Sequence, residues 1–272
     1  MSRGAGAVGR PAGSEIIAGV HAVDEAVMAG ERIHRIALTS ARTADSRIKD
    51  LIARAKARGI AVEFESEPWF ARLAPHHQHI AAIVDAFAYA SFESVRGLAR
   101  THQDVMLVAI DHVEDPQNIG AIVRNAEGAG VGATILPDRR SASLSSAARR
   151  AAAGAASHMK ITRVPNLVRA LEDLKEVGCW VTGLALTRSA VSYLDADLTG
   201  KRVFVVGSEG KGLHRLVSER CDQLVQIPLL GKVSSLNAAS ATAVVLFEAL
   251  RQRRLAATQP MPTNAPEKTT NP

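Results

Sequence analysis

Residues 227–237 read Ile227-Pro-Leu-Leu-Gly-Lys-Val-Ser-Ser-Leu-Asn237, and a long apolar run follows them. Pro228 has no N–H to donate, so it ends the pairing of the apolar strand that precedes it. The side chains of Ser235 and Asn237 come just before the apolar run, where their oxygens can cap the free N–H groups of a helix. The stretch therefore predicts a strand, a turn and then a helix over residues 238 to about 254.

The predicted helix is apolar on almost every side. Ten of the thirteen residues from 238 to 250 are Ala, Val, Leu or Phe. A helix without a polar face is buried all round. One side can pack on the chain's own sheet, and we expect the other side to meet a second subunit, which gives a homodimer through this helix.

Composition limits the classes of function. A chain of 272 residues is long enough for two domains. The net charge of +6 and the pI of about 9.7 favour a polyanionic partner such as nucleic acid, although a soluble basic protein has the same balance. We expect no membrane segment and no secretory signal, because no apolar run is long enough. Cys179 and Cys221 are predicted to be reduced core residues, as in a cytoplasmic protein.

The chain divides into five predicted parts. These are a disordered tail (1–13), a small α/β domain (14–90), a linker (91–103), a larger α/β domain (104–255) and a second disordered tail (256–272). Strands and helices alternate regularly in the larger domain, which predicts a mostly parallel sheet with right-handed crossovers. Ligands of such sheets bind at the carboxyl ends of the strands.

The small domain has three predicted helices, at 15–28, 47–57 and 68–73, and three predicted strands, at 33–38, 60–64 and 80–87. Basic side chains suited to the phosphates of a polyanionic partner such as nucleic acid lie in both domains: Arg47, Lys49, Arg54, Arg149 and Arg150. His76, His77 and His79 surround a turn before the last strand, with no cysteine or carboxylate at ligand spacing beside them. We expect a polar turn facing RNA there, and no metal.

The first motif of the larger domain covers residues 111–125, Asp-His-Val-Glu-Asp-Pro-Gln-Asn-Ile-Gly-Ala-Ile-Val-Arg-Asn. Asp115 and Pro116 are typical of a helix start. Arg124 lies about 200° round the helix from Ile122, so it points away from the apolar stripe. Its guanidinium either holds a phosphate or a carboxylate, or is simply solvated.

The second motif is Val203-Phe-Val-Val-Gly-Ser-Glu-Gly-Lys-Gly-Leu213, an apolar strand that runs into a glycine loop. Glycines let the backbone approach a ligand closely. Glu209 stands at the carboxyl end of that strand, where it either serves the site or favours the start of the next helix. The backbone of residues 227–236 can offer N–H and C=O groups to an adenine or a carboxylate, while Ser235 and Asn237 are also simple helix caps.

Taken in order, these motifs resemble the SpoU family of RNA ribose 2′-O-methyltransferases, in the SPOUT class. The resembling patterns are Asp-Pro-x-Asn-x-Gly-Ala-Ile-x-Arg, Gly-Ser-Glu-Gly-x-Gly and Ile-Pro-x-x-Gly-x-x-Ser-Leu-Asn, which fall between residues 104 and 254. The small domain is similar to the RNA-binding domain of the bacterial 23S rRNA guanosine 2′-O-methyltransferases, through residues 17–23 and His77-Gln78.

The resemblance implies a deep trefoil knot at the C-terminal end of the sheet, a homodimer and S-adenosylmethionine as methyl donor, without a metal. The methyl donor would bind in the knot near Gly207, Ile227, Leu236, Leu184 and Leu229. By matching motif positions, the active-site set would be Asn118, Arg124, Glu209, Ser235 and Asn237. Glu209 would orient Arg124, or pair with it across the dimer.

The implied function is 2′-O-methylation of a guanosine ribose in 23S rRNA. Two alternatives stay open: methylation of another rRNA or tRNA nucleotide, as in resistance-type methylases, and a non-catalytic RNA-binding factor in ribosome assembly. The sequence departs from the family pattern at Asn125, where Thr or Ser is usual, and at Ala238 and Ala239, which follow the motif Asn237. It also has His79 where the family commonly has glycine.

Overall fold

The computed structural model describes residues 11–28, 30–73, 77–138 and 144–258. The small N-terminal domain contains a four-stranded sheet with helices packed against it. Its elements are β1 (Ser14–Ala18), α1 (Val20–Met28), β2 (Ile33–Leu38), α2 (Ser46–Ala57), β3 (Ala61–Phe64), α3 (Glu67–Phe70) and β4 (Ile80–Asp85). The strand order is β1-β4-β2-β3, with β2 and β3 parallel and the other pairs antiparallel.

The start of the small domain differs from the sequence prediction. Residues 15–18, expected to be helical, belong to β1, which pairs with β4 so that Ile17 lies opposite Ala82. Their apolar spacing fits either element, and pairing with a neighbouring strand overrides a weak helical preference. Gly19 then turns the chain at φ +97° into α1, a backbone conformation that glycine adopts without strain.

The larger domain is built on a seven-stranded sheet in which every recorded strand pair is parallel. Its elements are α4 (Phe92–Thr101), β5 (Met106–Asp111), α5 (Pro116–Gly128), β6 (Ala133–Pro137), α6 (Ser146–Ala151), β7 (Lys160–Val164), α7 (Leu167–Lys175), β8 (Trp180–Leu184), β9 (Val191–Ser192), β10 (Arg202–Gly207), α8 (Arg215–Ser218), β11 (Gln223–Gln226) and α9 (Ala238–Thr258). The strand order β7-β6-β5-β10-β8-β11-β9 places β10 at the centre.

Apolar side chains cover both faces of this sheet, as its continuous apolar strands predict. One face packs against α5, α6 and α9, and the other packs against α4, α7 and α8. Successive residues of β5 alternate between the two cores, with Val108 on the first face and Leu107 on the second. After β11 the chain returns across the carboxyl edge of the sheet to α9, which packs on α5 and β10.

Two predicted boundaries differ from the structure. The predicted linker, 91–103, contains α4, whose Val95 and Ala99 are fully buried in the core beneath α7. Its polar residues hide an apolar stripe at helical spacing, and Ser91 caps its start by accepting a hydrogen bond from the Ser94 N–H. Residues 256–258, placed in the C-terminal tail, are the last residues of α9, while the rest of that tail and residues 1–10 lie outside the described residues.

No helix in the described part of the chain combines the length and the hydropathy of a bilayer-spanning segment.

Candidate active site

The carboxyl ends of the central strands meet at one edge of the sheet. Gly207 at the end of β10 lies in register with Asp111 of β5, and Val206 lies beside Leu184 of β8. A cavity of about 410 Å³ opens at this edge, between the loops that follow β8, β10 and β11. All five residues predicted to bind the methyl donor line it: Gly207, Ile227, Leu236, Leu184 and Leu229.

The loop after β10 folds back tightly on its own strand. The Ser208 and Gly212 backbones exchange two hydrogen bonds, at 3.2 and 2.9 Å. A Cβ added at Gly207 would lie 2.3 Å from the carbonyl carbon of Gly212, so no other residue fits without moving the loop. The glycine loop therefore turns its backbone, together with Glu209, toward the cavity.

Three side chains that are distant in sequence form one hydrogen-bonded network beside the cavity. The Glu209 carboxylate accepts hydrogen bonds from Asn118 Nδ2, at 3.0 Å, and from Asn237 Nδ2. Asn237 Nδ2 also donates to Asn118 Oδ1, at 2.7 Å, and the Ala238 N–H lies 3.3 Å from the same Glu209 oxygen. The structure thus brings together the first turn of α5, the loop after β10 and the start of α9.

Asn237 has a second role, as the cap of α9. Its Oδ1 accepts hydrogen bonds from the backbone N–H groups of Ala239 and Ser240, at 2.9 and 3.2 Å. This confirms the cap predicted for Asn237. Ser235 lines the cavity, and among the described residues it makes no such cap.

Arg124 projects from α5 into solvent, while Ile122 on the same helix is fully buried. Within the described ranges, Arg124 forms no ion pair, and Glu209 bonds to the two asparagine amides and not to Arg124 of the same chain. Pairing of Glu209 with Arg124 across a dimer stays a prediction. Asp115 starts the helix as predicted, since its carboxylate accepts a hydrogen bond from the Gln117 N–H at 3.0 Å. In the described part of the chain, the structure therefore does not bring Arg124 into the network or into the lining of the cavity, but its exposed guanidinium is free to bind an anionic group.

Sequence reasoning missed a cluster on the other side of the same edge. Asp111 is fully buried, its Oδ2 accepts a hydrogen bond from the His214 N–H at 2.6 Å, and its Oδ1 bonds to His112 Nδ1. The His112 and His214 rings stack at 3.7 Å, and His112 adopts φ +57°. These three residues are close enough for a metal, but stacked rings cannot both aim their in-plane lone pairs at one ion. Asp111 thus joins two loops through its hydrogen bonds. In the sequence, this role is indicated only by a carboxylate at the end of an apolar strand.

The comparison with known families is decisive. The model of the SpoU rRNA Methylase family matches residues 105–247. This chain belongs to the SpoU family. A second model, described as RNA 2′-O ribose methyltransferase substrate binding, matches residues 16–90. The SpoU chain is therefore an RNA methyltransferase with an RNA-binding domain at its N-terminal side.

Individual relatives agree with this assignment. A Staphylococcus epidermidis protein, named for the TrmH family of tRNA/rRNA methyltransferases, is 36% identical over 241 residues, covering 88% of this chain and 96% of the relative. The AdoMet-bound rRNA methyltransferase of Sinorhizobium meliloti is 27% identical, with a TM-score of 0.58, and the match covers 88% and 87% of the two chains. The A. aeolicus TrmH/SpoU tRNA modifying enzyme is 27% identical, with a TM-score of 0.52, over 61% of this chain and 86% of that one. The predicted fold, a SPOUT-type parallel α/β sheet with a small N-terminal α/β domain, is confirmed, and the trefoil knot stays a prediction.

The structure accounts for the departures from the SpoU pattern. Asn125 Nδ2 donates a hydrogen bond of 2.9 Å to the Ala239 carbonyl, which joins α5 to the first turn of α9. Ala238 and Ala239 are buried at that junction, where larger polar side chains would need partners. His79 adopts φ +55°, a conformation that glycine takes without strain.

The predicted RNA-binding residues have different surroundings. Arg47 and Lys49 are exposed on α2, and Arg54 on the same helix is paired with Asp24. Arg149 and Arg150 instead face acidic side chains of the small domain. His76 lies outside the described residues, and the His79 Nδ1 is 2.8 Å from a Glu67 oxygen.

Proposed function

We propose that this SpoU protein transfers the methyl group of S-adenosylmethionine to a ribose 2′-hydroxyl of RNA, with a guanosine of 23S rRNA as its target. The observation that carries the proposal is the network of Asn118, Glu209 and Asn237 beside the cavity, with the exposed guanidinium of Arg124 on the same helix as Asn118. Positioned polar groups next to a cavity with apolar walls are what alignment of a nucleotide with a methyl donor requires.

The residues at the cavity fit S-adenosylmethionine. Its volume of about 410 Å³ suits a ligand of nucleoside size, and Leu184, Leu229 and Leu236 supply apolar surface for an adenine. Backbone N–H and C=O groups of the loops after β8, β10 and β11 are available for the polar edges of the ligand. When bound, the sulfonium supplies a methyl group that is already activated for transfer.

The side chains at this edge then have to align and deprotonate the ribose hydroxyl. Alignment alone can lower the barrier by about 7–11 kcal/mol. Arg124 stays protonated, because guanidinium does not lose its proton in proteins, so it is not the base. It anchors an RNA phosphate, and an oxygen of that phosphate accepts the proton of the 2′-hydroxyl as the methyl group leaves the sulfonium for the ribose oxygen. Glu209 fixes the Asn118 and Asn237 amides, and Ser235 with Asn237 positions the nucleotide.

The small domain supports an rRNA substrate. The similarity to the S. meliloti rRNA enzyme spans 88% of this chain, whereas that to the A. aeolicus tRNA enzyme spans 61%. Arg47 and Lys49 on α2 contact RNA phosphates in this proposal. Replacing Arg47 by Ala weakens RNA binding for all sequences. It also lowers the slope of the logarithm of the RNA-binding constant against the logarithm of the salt concentration by about 0.7–0.9 in magnitude.

The proposed enzyme is a cytoplasmic homodimer. Phe247 of α9 is 48% exposed and Leu255 is 50% exposed in the single chain. Large apolar side chains exposed on one helix mark a surface that is covered in the assembly.

The experiment is transfer of radiolabelled methyl from S-adenosylmethionine to a 23S rRNA transcript, followed by mapping of the labelled ribose. Arg124→Ala is the test variant, and Arg169→Ala, on α7 away from the site, is its control. Label on one guanosine ribose, lost only with Arg124→Ala, is the expected result. Label on tRNA alone, or on a base, contradicts the proposal. Absence of methyl-donor binding leaves only the assembly-factor alternative.

A further inference from the structure

The two domains meet through helix α6. Arg149 on α6 forms a two-pronged ion pair with Glu31 of the small domain, with Nη2–Oε2 at 2.6 Å and Nε–Oε1 at 3.2 Å. The side chains of Arg149 and Glu31 are only 19% and 12% exposed. Arg150 lies 3.6 Å from Glu25 on α1, which also packs on α6. A bidentate pair between a guanidinium and a carboxylate with little exposure to solvent fixes the relative position of the two side chains, whereas exposed surface ion pairs are flexible.

Helix α6 is in turn closely packed against α5. A Cβ at Gly120 of α5 would lie 2.2 Å from the Ala148 carbonyl oxygen and 2.5 Å from the Ala151 Cβ. The two helix backbones are therefore in direct contact. Asn118 precedes Gly120 by two residues and Arg124 follows it by four. Close-packed helices move as units, so a shift of α6 displaces the helix that carries both site residues.

We propose that Arg149 is a positioning residue, which clamps the RNA-binding domain through Glu31 onto α6 and so sets α5 for the RNA held by that domain. The inference rests on the proposed RNA methyl transfer. It assigns to Arg149 a role inside the protein, where the basic composition alone suggested contact with the RNA backbone. In the closed clamp, RNA bound by the small domain has one fixed distance from Asn118 and Arg124.

The test is a charge exchange in the full chain. Arg149→Glu and Glu31→Arg are made singly and together, and Arg169→Glu on α7 controls for the change in charge. We measure kcat and KM for RNA, the Kd for RNA and the Kd for S-adenosylmethionine. Each single change is expected to lower kcat by about tenfold to a hundredfold, as misplacement of reacting groups does. Binding of S-adenosylmethionine stays unchanged, and the double variant recovers kcat to within about threefold of the unmodified protein.

Small-angle scattering of the same variants measures domain docking without any activity. The radius of gyration is expected to rise in each single variant and to return in the double variant. Three results overturn the proposal: an unchanged kcat in Arg149→Glu, a loss confined to RNA affinity, or a lowered kcat that the double variant does not restore. An unmodified protein that transfers no methyl to RNA defeats the proposed function instead, and scattering still decides whether the clamp exists.

Discussion

The two roles of Asn237 can be separated by two substitutions. Its Oδ1 caps α9, and its Nδ2 donates to Asn118 and Glu209. Asn237→Ala removes both roles. Loss of the cap costs about 1 kcal/mol, and loss of exposed hydrogen bonds adds about 0.5–1.5 kcal/mol. For a domain of this size, we therefore expect the apparent Tm to fall by about 3–10 °C.

Asn237→Asp keeps the cap and removes only the donor. A carboxylate at a helix start is favourable by about 0.3–1 kcal/mol, and its repulsion by Glu209 through solvent is about 1 kcal/mol. These two terms nearly cancel, so the remaining loss is that of the donated hydrogen bonds, about 0.5–1.5 kcal/mol, and we expect the Tm to fall by about 1–6 °C, less than in Asn237→Ala. Methyl transfer is expected to fall in both variants, because neither can donate to Glu209 and Asn118.

The assay combines thermal unfolding with methyl transfer to RNA, and Asn166→Ala is its matched control. Asn166 caps α7 by accepting a hydrogen bond from the Arg169 N–H at 3.1 Å, away from the site. Its loss is expected to lower stability by about 1 kcal/mol and to leave methyl transfer intact. The reasoning is refuted if Asn237→Asp is as unstable as Asn237→Ala, or if it transfers methyl at the rate of the unmodified protein.

Three further predictions concern stability and thiol chemistry. Asp111→Ala removes the fully buried carboxylate that accepts a hydrogen bond from the His214 N–H. Because hydrogen bonds to charged groups contribute about 1.5–3 kcal/mol, the free energy of unfolding in urea is expected to fall by about that amount, and a smaller fall in Asp111→Asn is the internal check. His79→Gly relieves the strain of a left-handed backbone conformation, about 1–2 kcal/mol, and loses an exposed ion pair. In the same urea titration the free energy of unfolding is therefore expected to rise by up to about 1 kcal/mol, and a decrease would contradict the presence of strain at His79. Burial raises the pKa of the Cys179 thiol to about 11 and that of Cys221 to about 12. At pH 8 both thiols are therefore protonated, and a disulfide reagent should label neither until the chain is unfolded; labelling of the native protein at that pH contradicts this.

The location of the site followed from the sequence more readily than its contacts did. Parallel strands place their carboxyl ends at one edge, so the loops carrying Asn118, Glu209 and Asn237 had to lie near one another. Which side chain Glu209 bonds to was not predictable, because it depends on rotamers and on loop closure at Gly207. Glu209 takes the two amides in this chain, and Arg124 is left to solvent.

The prediction that the arginines on α6 face RNA rested on their charge alone and did not anticipate their acidic partners. A basic residue facing solvent and one facing an acidic partner look the same in a sequence when the partner is far along the chain. Glu31 precedes Arg149 by 118 residues, so no local pattern connects them. The region 91–103 was misjudged for the opposite reason, since its polar residues concealed Val95 and Ala99, which face a core built by later elements.

The first turn of α9 is held by hydrogen bonds from two sides, and this explains why asparagine occupies position 125. The Ala239 carbonyl accepts from Asn125 on α5, and the Ala239 N–H donates to Asn237, which is bonded to Glu209. One residue of α9 is thus bound to the helix that carries Arg124 and to the network at the cavity. In the proposed homodimer α9 is the element at the interface, so any displacement of α9 on assembly reaches Asn125 and Asn237 together. A threonine at position 125 has a shorter side chain than asparagine, so it would reach the same carbonyl only if α5 and α9 lay closer together. The distance between these two helices therefore favours asparagine at position 125.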